Sequence, residues 1–554
     1  MSAQTEVTAR SNALRLSSST KRAVSAAAVF CVTVAALMAT DSMYGITYDE
    51  PIYTSKATQA LEWLRLLIRA PGVAASGEAI DSYWHAKDEH PGFSKLVTAV
   101  SGATLGKLVP YNATWRTGTN LLCACCFAGL YLFVAALWGG AAAIYAVSAL
   151  LLMPRVFAHC HLAALDAPIM SLSLLTVVAA WKASADDDAP TTTRTAWARA
   201  ALAGTLWGLA LGTKLNAFFL PFVVFPWALL FARKHLLKLA VCFGALGPVV
   251  FVATWPWLWH SPWARFVEYF QFHFRHDPVS VLYFGKVYAL APWHYALVMS
   301  AITLPPATGL LALVGVARVR WLRRDLAGVE RTSAVALLLV AWALLVNLGP
   351  SCLPSSPKYS GVRLFLPVFP YVAILAAVGF RTVLDAGIQW AARRVDVPQL
   401  RPKLTAVLLF CALVGPLAAV AKFTPYHLSY YNLLIGGLPG AARRGMEPTY
   451  WGDTYRSASL WLAAHAPEGA TVWIEPLGFE STVRYFELGP LRPDLRFSSG
   501  PAGFATADFA VTQNKPTEMS DLTKRLVATT EPVYADGVDG VPLIYVLRPR
   551  AGSP

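Results

Sequence analysis

The chain has 554 residues, of which 56% are hydrophobic and only 14% are charged. A soluble protein of this length would carry about a quarter charged residues, so the composition argues against a soluble enzyme and predicts a polytopic membrane protein. The net charge of +14 falls mainly in short loops between apolar segments, and no basic-aromatic motif accompanies it, which argues against a nucleic-acid partner.

The N-terminal part of the chain changes character twice. Residues 1–20 are polar and rich in serine and threonine, which predicts a disordered cytoplasmic segment. Lys21 and Arg22 precede an apolar run that ends near Thr40, and we interpret this run as an uncleaved first span. The following segment, 41–117, is predicted to be an external loop with amphipathic helices over 54–69 and 91–108 that lie at the membrane interface.

Ten further apolar segments predict about eleven spans in total, all within one membrane domain over residues 21–421. They cover about 118–137, 141–154, 167–183, 200–213, 216–232, 239–258, 294–316, 333–350, 364–382 and 404–421. Basic loops alternate between them, which places the C-terminus outside. Residues 422–554 contain no run of span length and are predicted to form a small extracytoplasmic α/β domain. It has strands near 471–476, 508–512 and 543–547 and helices near 454–465 and 519–527.

Three carboxylates occupy the ends of predicted spans. Asp49 and Glu50 follow the first span, and Asp166 opens another. Acids at a membrane boundary are costly to desolvate, and an apolar wall can raise the pKa of a carboxylate enough for it to act as a general base. A helix N-cap followed by Pro51 would explain the first two acids equally well. A surface ion pair with Arg155 would explain Asp166.

Four cations in or beside predicted external loops suit a phosphate group: Arg155, Lys214, Lys358 and Arg363. Each of them also has an ordinary explanation, such as a lysine that extends to the interface. A further motif contains His90, Pro91 and Lys95. Its helix start is predicted either to bind an anion through backbone N–H groups or simply to be capped.

The sequence gives little support for a metal site or for chemistry at its cysteines. Five histidines fall in predicted external segments at spacings that match no metal motif, so no metal site is predicted, although a divalent ion is not ruled out. These are His159, His161, His273, His276 and His294. Cys160 and Cys352 lie in predicted external loops, where a disulfide is one alternative and two free thiols the other. The absence of P-loop, GxSxG and HExxH motifs argues against an ATP-driven pump and a serine or zinc hydrolase.

In this order the motifs resemble the GT-C superfamily of membrane glycosyltransferases, in particular the branch of protein O-mannosyltransferases and aminoarabinose transferases (family 39). Asp49 and Glu50 resemble the acidic pair of its first external loop, and residues 90–95 resemble its His-Pro-Pro-Leu-x-Lys signature, with Gly92 and Phe93 replacing the second proline and the leucine. Residues 155–168 resemble its second loop, and residues 362–367 resemble its Arg-Tyr-Leu-Leu-Pro-like segment.

The resemblance covers about residues 20–420 and implies a GT-C fold, a polyprenyl-phosphate sugar donor and an inverting mechanism without a cofactor. It also implies an active site on the extracytoplasmic face, in a bacterial inner membrane. The acceptor would be a lipid, a glycan or a protein. Two alternatives stay open: a transporter or flippase for lipid-linked sugars, and a binding protein without activity. Neither alternative needs an acidic pair beside the cavity.

Overall fold

A computed structural model of the chain describes residues 18–84, 90–105, 111–184, 193–274, 278–325, 331–393, 397–475 and 492–549. Most of these residues are helical, in long helices joined by short 3-10 turns. The α-helices are Ser18–Thr40, Glu50–Arg69, Pro71–Ala74, Gly77–Tyr83, Phe93–Leu105, Tyr111–Trp138, Gly140–Leu151, Pro154–His161, Asp166–Ser184, Thr193–Leu211, Leu220–Phe231, Arg233–Thr254, Pro262–Phe274, Tyr295–Thr303, Pro306–Asp325, Arg331–Leu348, Phe369–Ala391, Val397–Phe423, Gly437–Arg443, Tyr455–His465, Gly500–Thr506 and Asp521–Thr529.

The 3-10 turns and the strands complete the described elements. The turns are Asp41–Met43, Leu215–Phe219, Pro256–Trp259, Gly349–Cys352, Arg363–Val368, His427–Ser429 and Leu433–Ile435. The strands are β1 (Val281–Tyr283), β2 (Lys286–Tyr288), β3 (Thr471–Glu475), β4 (Arg496–Ser498), β5 (Phe509–Gln513), β6 (Tyr534–Val538) and β7 (Val541–Leu547).

The described residues contain 7 helices long and apolar enough to cross a membrane, or 8 if the bent pair Gly140–Leu151 and Pro154–His161 counts as one span. A polytopic membrane protein is therefore confirmed, whereas the predicted number of about eleven spans is not. The predicted spans 200–213, 216–232 and 294–316 correspond to helices that are shorter, broken or interrupted by arginine. The two predicted amphipathic helices are present as Glu50–Arg69 and Phe93–Leu105.

The spans differ in how far other parts of the protein enclose them. Span Arg363–Ala391 is 94% buried over its most apolar window and Asp166–Ser184 is 83% buried, but Leu400–Phe423 is only 11% buried. The two enclosed spans begin with a predicted cation and a predicted acid. The start of each therefore brings an ionisable group to the centre of the helical domain, away from the lipid-facing surface.

The cysteines are all free thiols. Cys160 is buried and Cys352 is partly exposed. The disulfide alternative for this pair is therefore wrong, because Cys160 packs inside the helical domain within the bent helix pair instead of in an external loop.

The C-terminal α/β domain is built on a five-stranded sheet in the order β4-β3-β5-β7-β6. Strand β3 is parallel to β4 and β5, whereas β7 is antiparallel to β5 and β6. Alternate side chains pack on opposite faces, as the two-residue period of a strand requires. One face of β3 contributes Val472 and Ile474 to a core with helix Tyr455–His465, and Trp473 packs on the other face.

The sheet domain also holds the loop that contains the first two acids. Ile46 belongs to the hydrophobic core between the sheet and helix Tyr455–His465. The Tyr48 hydroxyl donates to Gln513 Oε1 at 2.7 Å, and the Tyr48 backbone N–H donates to Trp451 O at 2.9 Å. The residues before Asp49 are therefore fixed by the C-terminal domain and not only by the end of the first span.

Candidate active site

Four charged side chains meet where four helical segments begin or end. Asp49 is the N-cap residue of helix Glu50–Arg69, but its side chain makes no capping hydrogen bond. Asp166 is the first residue of helix Asp166–Ser184. Lys214 precedes the 3-10 turn Leu215–Phe219, and Arg363 begins the turn before helix Phe369–Ala391. Helix ends place these groups at a common edge of the bundle, and capping does not explain the Asp49 carboxylate.

The four groups form a chain of alternating charge. Arg363 Nη2 lies 2.5 Å from Asp49 Oδ2, and Arg363 Nε lies 3.2 Å from Asp166 Oδ2. Lys214 Nζ donates to Asp166 Oδ1 at 2.6 Å. The Asp49 side chain is 25% exposed, whereas those of Asp166, Lys214 and Arg363 are at most 9% exposed. The structure thus brings together four of the predicted residues, and Asp49 is the member of this quartet that faces open space.

Glu50 lies in a separate, closed environment. Its carboxylate accepts from Arg116 Nε at 2.7 Å and Arg116 Nη2 at 2.9 Å. It also accepts from the backbone N–H of Thr47 and of Ala163, both at 2.9 Å, and from the Thr47 hydroxyl. Because all acceptor sites of Glu50 are used, this residue anchors the acidic loop to the helical domain. The sequence analysis did not identify Arg116, which contacts the loop across 66 residues of sequence.

Arg155 lies beside the quartet without an acidic partner among the described residues. Its Nε donates to Tyr430 O at 3.1 Å, and its guanidinium lies over the rings of Tyr431 and Tyr450. A Cβ at Gly361 would lie 2.3 Å from Arg155 Nη1, so Gly361, at φ +67°, permits this close approach. The predicted surface ion pair between Arg155 and Asp166 is wrong, because Asp166 instead pairs with Lys214 and Arg363.

Lys358 is not brought to the quartet by any described contact. Its ammonium donates to the carbonyl oxygens of Leu353 at 2.7 Å and Ser356 at 2.8 Å. The lysine therefore closes its own loop. Only the next residue approaches the site, since the Tyr359 ring centroid lies 5.9 Å from Arg363 Cζ.

The motif around His90 is buried against the same region. Lys95 Nζ donates to the His90 carbonyl oxygen at 2.5 Å, so Lys95 turns back on the motif. Burial and the nearby positive charges of Lys214 and His273 hold the pKa of His90 well below its usual range. A Cβ at Gly92 would lie 2.3 Å from the carbonyl oxygen of Thr254. This close approach explains why glycine replaces the second proline of the family pattern.

Two residues near the quartet were not assigned to it by the sequence analysis, which did not mention Trp451 and weighed His159 only as a metal ligand. The ring of Trp451 lies 4.2 Å from Arg363 Cζ, and its backbone has the unusual φ of +74° for a non-glycine residue. His159 lies 5.3 Å from Trp451 between ring centroids, and neither ring nitrogen has a hydrogen-bond partner in the described parts of the chain. No local sequence pattern marks either residue, since Trp451 comes from the C-terminal part and His159 from a short apolar helix.

The described residues contain no group of three or more His, Cys, Asp or Glu side chains placed to hold a metal ion. The five histidines considered in the sequence analysis do not assemble into one cluster within these residues. His159 and His161 are buried in the helical domain, and His161 Nε2 lies 2.8 Å from the Thr40 hydroxyl. His276 lies outside the described residues, as do residues 1–17 of the predicted N-terminal segment.

Comparison with known proteins connects this geometry to one fold. A family model described as dolichyl-phosphate-mannose-protein mannosyltransferase matches residues 86–276. The crystal structure of ArnT from Cupriavidus metallidurans bound to undecaprenyl phosphate is 16% identical, covers 95% of this chain and 97% of its own, and has a TM-score of 0.50. The apo oligosaccharyltransferase of Archaeoglobus fulgidus is 11% identical, covers 88% of this chain and 69% of its own, and has a TM-score of 0.50. No curated protein matches the chain.

At these identities the structural similarities establish the fold. The chain has the fold of GT-C membrane glycosyltransferases, with a multi-pass helical domain and a small C-terminal α/β domain. The resemblance found in the sequence is confirmed at this level. The segment that the family model matches, residues 86–276, contains His90, Arg155, Asp166 and Lys214. It contains neither Asp49 nor Arg363, so the contact between Asp49 and Arg363 is known from the structure alone.

Proposed function

We propose that this chain, which has the GT-C fold, is an inverting glycosyltransferase that moves a sugar from a polyprenyl-phosphate donor to a hydroxyl or amine of an acceptor. The observation that carries the proposal is the quartet of Asp49, Arg363, Asp166 and Lys214, in which the Asp49 carboxylate is partly exposed and the two cations are buried. The undecaprenyl phosphate bound by the structurally similar ArnT supports a lipid-linked donor.

The first role belongs to the cations. When the glycosidic C–O bond to phosphate breaks, its electron pair passes to the phosphate, which gains a negative charge. Arg363 and Lys214 are buried and already oriented by Asp166, so they need little rearrangement to stabilise that charge. With these cations in place, no resident metal is proposed. Arg155 would be the third contact for the donor phosphate, through its unpartnered Nη1.

The second role belongs to Asp49. Its carboxylate is paired with Arg363. A donor phosphate would compete for the same guanidinium and free the carboxylate to accept a proton from the attacking acceptor. The acceptor oxygen or nitrogen would then bond to the anomeric carbon from the side opposite the phosphate, which inverts the configuration without a covalent enzyme intermediate. Glu50, held by Arg116, would position the loop that carries Asp49.

The location follows from the same proposal. We place the site at the extracytoplasmic face of a bacterial inner membrane, with the C-terminal domain outside. The alternation of basic loops supports this orientation. Cysteine labelling of residues near 500 in intact cells tests it, and a cytoplasmic result would contradict the placement of the acids.

Asp49→Asn is the direct test of the reaction. Proteoliposomes carrying undecaprenyl-phosphate mannose or undecaprenyl-phosphate aminoarabinose would be assayed for sugar transfer to envelope acceptors, and for binding of undecaprenyl phosphate. A positioned general base contributes about 10²–10⁴-fold in rate, so transfer should fall by about that factor while binding persists. Asp521→Asn is the matched control, because the Asp521 side chain is 88% exposed in the C-terminal domain.

Three outcomes would contradict the proposal. Full activity of Asp49→Asn would show that this residue is not the base. A product that keeps the donor's anomeric configuration would exclude single displacement. Translocation of the intact lipid-linked sugar with no transfer, unchanged in Asp49→Asn, would instead support the flippase alternative.

A further inference from the structure

A cavity of about 450 Å³ lies where the end of the first span meets the C-terminal domain. It is separate from the quartet. Its wall includes Met43 from the membrane side and residues of helix Tyr455–His465 and strand β6. The side chains used in the argument below are Tyr426, Asp453, Arg456, Trp461, Tyr534 and Asp536.

The polar groups of this cavity include a buried acid without a side-chain partner. Asp453 is 3% exposed, and among the described residues its carboxylate is approached only by backbone N–H groups, those of Asp453 itself and Thr454. Burial, with the charge of Glu50 adding to it, raises the pKa of Asp453 to about 7. An acceptor group held in the wall of a cavity without a side-chain partner is costly unless a ligand supplies the donor. Asp536, by contrast, already accepts from the Tyr426 hydroxyl.

The aromatic groups of the cavity are held in fixed positions. Trp461 is stacked with Tyr534 at 5.6 Å between centroids and with His465 at 4.7 Å, with interplanar angles of 20° and 11°. Tyr426 is held by its hydrogen bond to Asp536. Preordered aromatic rings present apolar surface at low entropic cost.

This combination suits a neutral, polyhydroxylated ligand. The acids Asp453 and Asp536 disfavour the binding of an anion. A buried acid without a side-chain partner disfavours the binding of a purely apolar lipid chain. Sugar hydroxyls supply donors to carboxylates and acceptors to the Arg456 guanidinium, while the C–H face of a sugar ring packs on an aromatic ring. A carbohydrate meets all of these requirements at once.

The cavity is also close to the quartet along the chain. Trp451 lies over Arg363, and Asp453, two residues later, lines the cavity. Two residues of extended chain span at most about 7 Å. The cavity wall and the quartet are therefore joined by a short stretch of backbone in the C-terminal part of the chain.

We propose that this cavity is a binding site for the carbohydrate part of the acceptor, contacted by Trp461, Tyr534 and Asp453. The inference rests on the proposed glycosyltransferase function and specifies its acceptor as a glycan, free or carried on a lipid, instead of an unglycosylated protein. The C-terminal domain would then select the acceptor, and the helical domain would bind the donor.

The test uses the full chain in lipid nanodiscs and a printed array of soluble oligosaccharides, followed by titration with the best-bound glycan. A second arm uses phosphatidylethanolamine vesicles that carry short-chain glycolipids. Trp461→Ala should weaken binding about tenfold or more, since it removes a stacking surface. Trp461→Phe should retain most of the affinity. Trp263→Ala should bind as the unaltered protein does, because Trp263 is 76% exposed on another helix.

The outcomes separate this inference from the proposed function. Binding that depends on Trp461 supports the inference, and the arm in which it appears distinguishes a free glycan from a glycolipid. No glycan binding in either arm, or binding unaffected by Trp461→Ala, would overturn it. If Trp461→Ala fails to fold, Tyr534→Ala makes the same comparison. Undecaprenyl phosphate binding is measured in every variant, and its loss in the unaltered protein would contradict the donor proposal while leaving the glycan result interpretable.

Discussion

Asp49 and Glu50 are neighbours in the chain, but their carboxylates lie in opposite environments. Glu50 has a side chain 4% exposed and accepts from Arg116, Thr47 and Ala163. Asp49 has a side chain 25% exposed and one ionic partner, Arg363. A carboxylate with every acceptor site used contributes to holding the structure. A partly exposed carboxylate with a single ionic partner still has acceptor sites available to a ligand.

The comparison shows why an acidic pair does not imply two acids with the same role. At a helix start, successive side chains diverge by about 100° around the axis, so two adjacent acids cannot face the same site. One of them faces the interior and anchors the loop. The other is partly exposed and pairs with Arg363, and the ion pair of Glu50 with Arg116 fixes the loop that carries it.

The largest expected effect concerns the anchoring acid. Glu50→Ala leaves the buried Arg116 without its main partner, which typically costs about 3–5 kcal/mol. Asp49→Ala removes a partly exposed acid, and its partner Arg363 remains paired with Asp166. We therefore expect the free energy of unfolding to fall by about 1 kcal/mol or less. Thermal unfolding in detergent, followed by size-exclusion chromatography, measures both. Equal destabilisation by the two substitutions would contradict the division of roles.

The second prediction concerns Arg363, the cation that pairs with both Asp49 and Asp166. Arg363→Lys keeps the charge but loses the forked donors that contact Asp49 and Asp166 simultaneously. Loss of one donor to a developing anion typically costs about 10²–10³-fold, so transfer should fall by roughly this amount. The measurement is kcat with the donor saturating. An unchanged kcat would show that Arg363 serves only the resting ion pair.

The third prediction extends the comparison to Asp453, which is buried like Glu50 but has no side-chain partner in the described chain. Its folded-state pKa is about 7, raised from 3.8 by burial. Because the unfolded chain then loses this proton at lower pH, stability falls as pH rises from about 4 to about 7. The charged groups nearest to it are Glu50 and Arg116.

Asp453→Asn should therefore stabilise the protein by about 1–3 kcal/mol at pH 8, with little effect at pH 4. The variant should also bind the acceptor glycan more weakly, because the amide is a poorer acceptor than the carboxylate. Thermal denaturation at the two pH values, compared with the unaltered protein, measures the first effect. A loss of stability at pH 8 would show that Asp453 has a stabilising partner.

The smallest expected effect is that of Lys358→Met. The ammonium of Lys358 is occupied by the carbonyl oxygens of Leu353 and Ser356. The loss of these hydrogen bonds should lower the free energy of unfolding by about 1 kcal/mol and change the KM for the donor by less than about threefold. Titration with undecaprenyl-phosphate sugar checks this. A loss as large as that of Arg363→Lys would restore Lys358 to the donor-phosphate site predicted from the sequence.

The sequence by itself determined the features that depend on neighbouring residues. Apolar runs located the membrane-spanning helices, and short β-like runs located strands β3, β5 and β7, because burial selects apolar residues within each helix or strand. The same local patterns placed Asp49, Asp166 and Arg363 at the ends of helical segments, where polar groups meet the apolar run. The GT-C resemblance added the order of these motifs.

Only the tertiary structure decided which groups meet. Arg363 pairs with Asp49 across 314 residues, and Arg116 pairs with Glu50 across 66. Contacts over such separations leave no periodic trace in the chain. For the same reason the sequence did not show that Lys358 binds its own loop, that Cys160 and Cys352 are apart, or that Trp451 lies over Arg363. A charge finds its partner through the packing of whole helices, since a buried ion must be satisfied by whichever group the fold brings within reach.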